Sequence, residues 1–215
     1  QVKPVCIVLA DPARAEQIAN TCEKHQQIVN NGAYTTYDIT WRGYEMTLCS
    51  HGQGSPSAAL CFEELIKLGA LCIIKVGTCG SLQPNDTAQG DVVIVHSAVR
   101  EEGVSALMVP PGYPAVADPL VFGVLRRSAE EQNIKVKLGM TLTSDLFYKS
   151  PALPSTVETF SRAKVDCIDM ETASLFVISK VRGIRCGAVL AVDGSPMKAA
   201  PTDATGEKTA EGKAN

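Results

Sequence analysis

Apolar positions along the chain fall into short runs separated by amphipathic stretches. Val5–Leu9, Cys72–Val76 and Gly187–Val192 are almost wholly apolar and bounded by turn residues, the pattern of buried strands. Asp91–Val95 and Val136–Leu142 read as further strands, and Cys167–Asp169 as a brief one. Tyr34–Trp41 and Tyr44–Cys49 read as two strands joined at Arg42-Gly43. Ser57–Leu68 places Ala58, Leu60, Cys61, Leu65 and Leu68 at helical spacing. A helix near Ala13–Thr21 is opened by Asp11 as a cap and Pro12 in the first turn. Pro119–Gln132, Ser155–Arg162 and Glu171–Val181 are the other expected helices.

Strands alternating with helices predict an α/β chain whose mostly parallel or mixed sheet is covered on both faces, with an antiparallel part at 34–49. Neither an internal repeat nor a linker interrupts the pattern, so residues 1–215 are expected to form a single domain. The polar tail Pro201–Asn215 has no apolar helix face and is expected to add little to a core.

Composition narrows the function classes. The chain has 215 residues, 45% of them hydrophobic, which suits a packed core. No apolar run approaches the roughly 20 residues needed to span a bilayer, and the first residues do not read as a signal peptide. No membrane association and a cytoplasmic location are therefore expected. A net charge of −3 argues against nucleic acid or anionic lipid as a partner. The eight cysteines include no CxxC pair and sit mostly in apolar runs, as buried reduced thiols do. His25, His51 and His96 lie far apart, so no metal site is signalled.

Ligands of α/β sheets bind beyond the carboxyl ends of strands. Four loops there are rich in Gly, hydroxyl or acidic residues: Ala10–Arg14, Gly77–Ser81, Thr143–Tyr148 and Asp193–Pro196. Ala10–Arg14 offers helix-start amides and a guanidinium to an oxyanion, or is simply a capped helix with a surface arginine. Gly77-Thr78-Cys79-Gly80 after Lys75 is either an anion nest or an ordinary tight turn. Asp169 and Glu171, between a strand and a helix, either point into one pocket or cap the helix. Asp193 follows the apolar strand Ala188–Val192; partial desolvation there would raise its pKa and make it a proton donor, the alternative being an Asx turn. His51-Gly52-Gln53-Gly54 reads as a structural turn with no catalytic role.

Taken in order, ADPAR (10–14), SHGQGSPS (50–57), KVGTCGSLQP (75–84), GDVVIVHSAVREEG (90–103), TSDLFY (143–148), IDMETAS (168–174) and LAVDGSP (190–196) resemble the nucleoside phosphorylase family. That family includes purine nucleoside and uridine phosphorylases. The resemblance runs from Pro4 to Gly206 and is nearest to the parasite-type purine enzymes, in TSDLFY and AVDGSP above all. It implies a three-layer α/β/α sandwich with a central mixed sheet. It also implies a homo-oligomer, either a hexamer built as a trimer of dimers or a dimer. The implied reaction is phosphorolysis of purine nucleosides to base and ribose 1-phosphate, with inorganic phosphate as co-substrate and no cofactor. Ala10, Arg14, Lys75 and Thr78 match phosphate-binding positions. Asp169, Met170 and Glu171 match the ribose site, and Cys79, Gly80 and Phe147 the base site. Asp193 matches the residue that hydrogen-bonds or protonates the purine.

The chain departs from the family pattern at four points. Ala10 replaces a usual Gly. Lys75 replaces an Arg, keeping the charge and losing the bidentate fork. The Arg lent to a neighbour's phosphate site falls near Gly32. The His lent to a neighbour's ribose lies before residue 1. The family's C-terminal helix is also missing, and Lys198–Asp203 is short for its usual loop. These changes predict weak phosphate dependence. They keep open a nucleoside hydrolase on the same fold and a non-catalytic nucleoside-binding protein; a uridine phosphorylase is a further alternative.

Overall fold

A computed structural model describes residues 1–148 and 150–197. The first strand, β1 (Val5–Leu9), leads into α1 (Pro12–Thr21), whose cap Asp11 accepts the Ala13 amide at 2.8 Å. A hairpin-rich stretch follows: β2 (Lys24–Asn31), β3 (Tyr34–Trp41) and β4 (Tyr44–Ser50). Next come α2 (Ser55–Lys67), β5 (Cys72–Ser81), β6 (Val92–Glu101), α3 (Gly103–Met108) and β7 (Ala115–Val116). The last elements are α4 (Pro119–Glu131), β8 (Val136–Ser144), α5 (Thr156–Arg162), β9 (Cys167–Asp169), α6 (Thr172–Arg182) and β10 (Arg185–Gly194).

All ten strands join one mixed sheet in the order β10-β6-β8-β9-β5-β1-β4-β3-β2, with β7 added on β6. Strand β5 pairs in parallel with β1 and with β10, and antiparallel with β9. Because β10 also pairs with β6, the strands β5, β10, β6, β8 and β9 close into a ring. This closure gives the sheet a barrel-like end in which β5 and β10 run one way and β6, β8 and β9 the other, and it sets Lys75 of β5 beside Asp169 at the end of β9.

Alternation along β1 shows why both faces are covered. Cys6 and Val8 pack in the cluster that holds Phe62 and Leu65 of α2 and Leu175–Ile178 of α6. Ile7 and Leu9 pack instead with Ala15 and Ala19 of α1. Helix α6 is buried all round from Thr172 to Ser179, because it lies among α2, α3 and the sheet. It stops at Gly183, whose φ of +74° suits a residue without a side chain. On β10, a Cβ at Gly187 would lie 2.6 Å from Val121 Cγ1, so α4 packs directly against bare backbone there.

Several boundaries differ from the sequence expectation. Strand β2 was not expected: every residue of KHQQIVNN is exposed, so no alternation betrays it, and it is held by backbone pairing to β3. The short α3 and β7 were not expected either. The predicted turn Gly77–Ser81 is strand instead, because Gly80 and Ser81 pair with β9 while Gly77–Gly80 continue beside β10. Strand β6 likewise runs on to Glu101, and α2 begins two residues early at Ser55. The expected short loop at Lys198–Asp203 and the tail Pro201–Asn215 lie outside the described residues.

Candidate active site

The carboxyl end of β9 delivers two acids into a buried network. Asp169 Oδ1 accepts hydrogen bonds from Thr143 Oγ1 at 2.8 Å and Thr141 Oγ1 at 3.2 Å, both on the adjacent β8. Its Oδ2 accepts the Thr172 amide at 2.9 Å and the Glu171 amide at 3.2 Å. Asp169 therefore caps α6, the second of the two uses foreseen for it, while also facing Lys75. Thr143 Oγ1 in turn accepts the Ala173 amide at 2.9 Å.

Lys75 reaches this pair from β5. Its ammonium lies 2.6 Å from Asp169 Oδ2 and 3.1 Å from Glu171 Oε2, with the lysine side chain only 2% exposed. Burial alone would lower its pKa; the two carboxylates outweigh burial and hold it above the usual lysine value. Burial likewise opposes ionisation of Asp169, but Lys75, Thr172 and Thr143 keep its carboxyl below the usual range. The second Glu171 oxygen, Oε1, accepts the Gly54 amide at 2.6 Å. Ser55 Oγ donates to the Met170 carbonyl at 2.8 Å, so the start of α2 grips both residues after Asp169.

The loop before α2 is tied to the first loop. The His51 amide donates to Leu9 O at 2.8 Å and the Gly52 amide to Ala10 O at 3.0 Å. Gly52 has φ +71°, and a Cβ there would meet Ser57 Oγ at 2.6 Å, so glycine is needed on both counts. The His51 ring is fully buried, edge-on to Phe62. Its Nδ1 donates to Gly52 O at 2.6 Å, while Nε2 has no partner among the described residues. Burial, aided by the Lys75 charge, pushes its pKa down to about 4, so the ring is neutral at pH 7.

The other candidates lie on the first loop and α1, on β5, and on the segments at the ends of β8 and β10. Arg14 is half exposed in the first turn of α1, with Asp11 Oδ2 4.0 Å away. Thr78 is half-buried on β5. Strand alternation turns it to the face opposite Lys75, Gly77 and Cys79. Cys79 is buried. A Cβ at Gly80 would lie 2.9 Å from Pro196 Cδ, and Ser195 Oγ donates to Ser81 O at 2.7 Å. The segment carrying Asp193 is thus clasped against the end of β5. Asp193 itself sits where the pairing register slips between Val192 and Gly194, and it is exposed. The desolvation expected from its apolar strand is absent, since the irregular strand end opens it to solvent. Phe147 is 68% exposed and packs edge-on with Tyr148 at 5.1 Å. Its loop is anchored by Asp145 Oδ2, which accepts the Gly103 amide at 2.8 Å.

The sequence reading took Gly54 as part of a structural turn, gave Thr143 no role and did not single out Ser55, Thr141 or Thr172, although all five bond to the 169–171 segment. Their signal is proximity across the fold, which local spacing does not carry. A cleft of about 380 Å³ lined by Lys3, Lys24, Asp38 and Glu45 lies at the amino ends of β1 and β4, away from this chemistry.

Residues 4–214 match the family model for the phosphorylase superfamily. The chain belongs to this superfamily. It is 39% identical over 198 residues to a purine nucleoside phosphorylase of Plasmodium vivax, covering 92% of this chain and 81% of that protein. It is also 39% identical over 203 residues to a uridine phosphorylase of Treponema pallidum, covering 90% and 78%. The crystal structure of purine nucleoside phosphorylase from Toxoplasma gondii in complex with immucillin-H superposes with a TM-score of 0.89 at 42% identity, covering 91% of this chain and 79% of that one. The chain is thus a nucleoside phosphorylase-type protein with the α/β fold of that superfamily, and among the described residues no helix is long and apolar enough to cross a membrane.

Proposed function

We propose that this phosphorylase superfamily member cleaves purine nucleosides of the inosine or guanosine type with phosphate, giving free base and ribose 1-phosphate. The observation that carries the reading is Glu171: a buried carboxylate fixed by Gly54 and Lys75 just beyond the end of β9. A carboxylate so held accepts the two vicinal hydroxyls of a ribose and aligns its anomeric carbon. Asp193, at the irregular end of β10, stabilises or protonates the leaving base as negative charge builds there. Phe147 and the backbone around Cys79 and Gly80 flank the base, and Met170 lies under the sugar. Arg14, the amides that follow Ala10 and Thr78 receive phosphate, which attacks the face of the anomeric carbon opposite the base. No cofactor enters this scheme. The free thiols of all eight cysteines suit a reducing compartment such as the cytoplasm. The exposed edge strand β2, with Ile28 and Val29 in the open, supports a homo-oligomer, a dimer or a trimer of dimers.

The test is incubation with inosine, with and without phosphate, and identification of the sugar product. Ribose 1-phosphate formed only with phosphate supports phosphorolysis. The parallel assay with uridine decides the base, which equal identity to purine and uridine enzymes leaves to experiment. A hydrolase is the second reading, favoured by Gly32, which offers no side chain to an anion, and by the engagement of Lys75 with two carboxylates. Free ribose released at the same rate without phosphate supports it.

A further inference from the structure

We infer that Lys75 is a positioning residue for Glu171 and not a phosphate ligand; the inference rests on the reading of Glu171 as the ribose carboxylate. Its ammonium faces Asp169 at 2.6 Å and Glu171 at 3.1 Å, in a pocket that leaves 2% of the side chain exposed. One positive and two negative charges leave this cluster at −1. An arriving phosphate dianion would meet net negative charge there, and any pull it exerted on Lys75 would strip two buried carboxylates of their partner.

The strand around Lys75 fits this inward pose. Gly77 follows Lys75 by two residues, on the same face of β5. A Cβ at Gly77 would stand 3.4 Å from Lys75 Nζ, an ordinary van der Waals distance, so the ammonium runs alongside this position. Thr78, the hydroxyl that would share a phosphate with Lys75, alternates to the other face. Asp169 completes the device, since Thr141, Thr143 and Thr172 fix the carboxylate that holds the lysine.

The arrangement also leaves Glu171 ready for a diol. Gly54 takes one lone pair of Oε1, and Lys75 takes one of Oε2. An ionised carboxylate has about four acceptor directions. One therefore remains on each oxygen, matching two neighbouring hydroxyls. Removing Lys75 frees the carboxylate to rotate and leaves it beside Asp169 with like charge, so the cost falls on sugar recognition.

The experiment separates the two ligands. Lys75→Met, and the charge-balanced Lys75→Met/Asp169→Asn should the single variant not fold, are compared with wild type for the KM of inosine and the KM of phosphate. The expected result is a tenfold or greater rise in the inosine constant with the phosphate constant within about twofold. Affinity for free hypoxanthine, measured by calorimetry, stays unchanged. Lys75→Arg, which keeps the charge, is read alongside and is expected not to lower the phosphate constant. A selective rise in the phosphate constant on losing Lys75, an equal rise in both, or a several-fold fall with Lys75→Arg overturns the inference. If wild type binds inosine without cleaving it, the phosphorylase reading fails. Calorimetric binding of inosine and of phosphate then gives the same split for Lys75. If wild type binds no nucleoside, both fall.

Discussion

The Gly54 amide donates to Glu171 Oε1 at 2.6 Å, joining positions 117 residues apart in the chain. The bond sets the start of α2 against the start of α6, and it fixes one carboxylate oxygen by backbone alone. A side chain held by backbone cannot drift without moving a helix, so Glu171 is preorganised before any ligand arrives.

Glu171→Ala is expected to weaken binding of ribonucleosides far more than that of free purine base. Charged hydrogen bonds to two hydroxyls are worth about 1.5–3 kcal/mol each, so inosine affinity should fall at least tenfold. Calorimetry with inosine and hypoxanthine checks this. Equal losses for the two ligands would leave Glu171 as a structural partner of Lys75 and Gly54.

Asp193→Asn is expected to lower inosine turnover by about two orders of magnitude or more, the usual scale for a lost general acid. The carboxylate is exposed, so the isosteric amide leaves the fold alone and Tm should stay within about a degree or two. Turnover close to wild type at unchanged Tm would exclude Asp193 from the chemistry.

What the chain spells out locally was legible, and what depends on distant partners was not. The apolar runs at β1 and β10, and the cap at Asp11, announce themselves because burial and capping follow neighbouring residues. Strand β2 is mostly polar and exposed throughout, so only its pairing with β3 reveals it. Gly77 and Gly80 look like turn residues, yet both lie in β5, and Gly80 leaves room for Pro196. Asp169 and Glu171 stood out as a pair of acids at a strand end. That Lys75 would turn toward them, across 94 residues, has no local signature. The expected desolvation of Asp193 failed for a similar reason: the register slip after Val192 is a property of the pairing with β5.

His51 predicts a pH dependence of stability. Its folded pKa lies near 4, below the roughly 6.5 of an unfolded histidine, so the unfolded chain binds more protons between these values. Stability from this group is fully present above about pH 6.5 and is lost as pH falls toward 4. A shift of this size corresponds to about 3 kcal/mol in total. Urea unfolding of wild type and His51→Phe at pH 4.5, 5.5 and 7.5 measures it. The gap between the two proteins should move in favour of the variant as pH falls. A gap independent of pH would mean that His51 titrates normally.

In the proposed phosphorolysis, with Lys75 turned inward, phosphate recognition is expected to fall mainly on Arg14. Its guanidinium is half exposed in the first turn of α1, and its ion pair with Asp11 is long at 4.0 Å. An exposed pair of this kind adds about 0–1 kcal/mol to stability, so Arg14→Ala should hardly change Tm. A charge-assisted hydrogen bond to phosphate is worth about 1.5–3 kcal/mol, which predicts a rise of roughly tenfold to a hundredfold in the phosphate KM. The inosine constant, set by Glu171 and the base loops, should change little. A phosphate titration of wild type and Arg14→Ala, with inosine near saturation, reads both effects. Because Gly32 contributes no charge, the wild-type phosphate constant should itself be high. An unchanged phosphate constant in Arg14→Ala would remove the first loop from anion binding. It would leave the backbone amides and Thr78 too little charge to hold a phosphate dianion, and the hydrolase reading would then gain the ground that phosphorolysis loses.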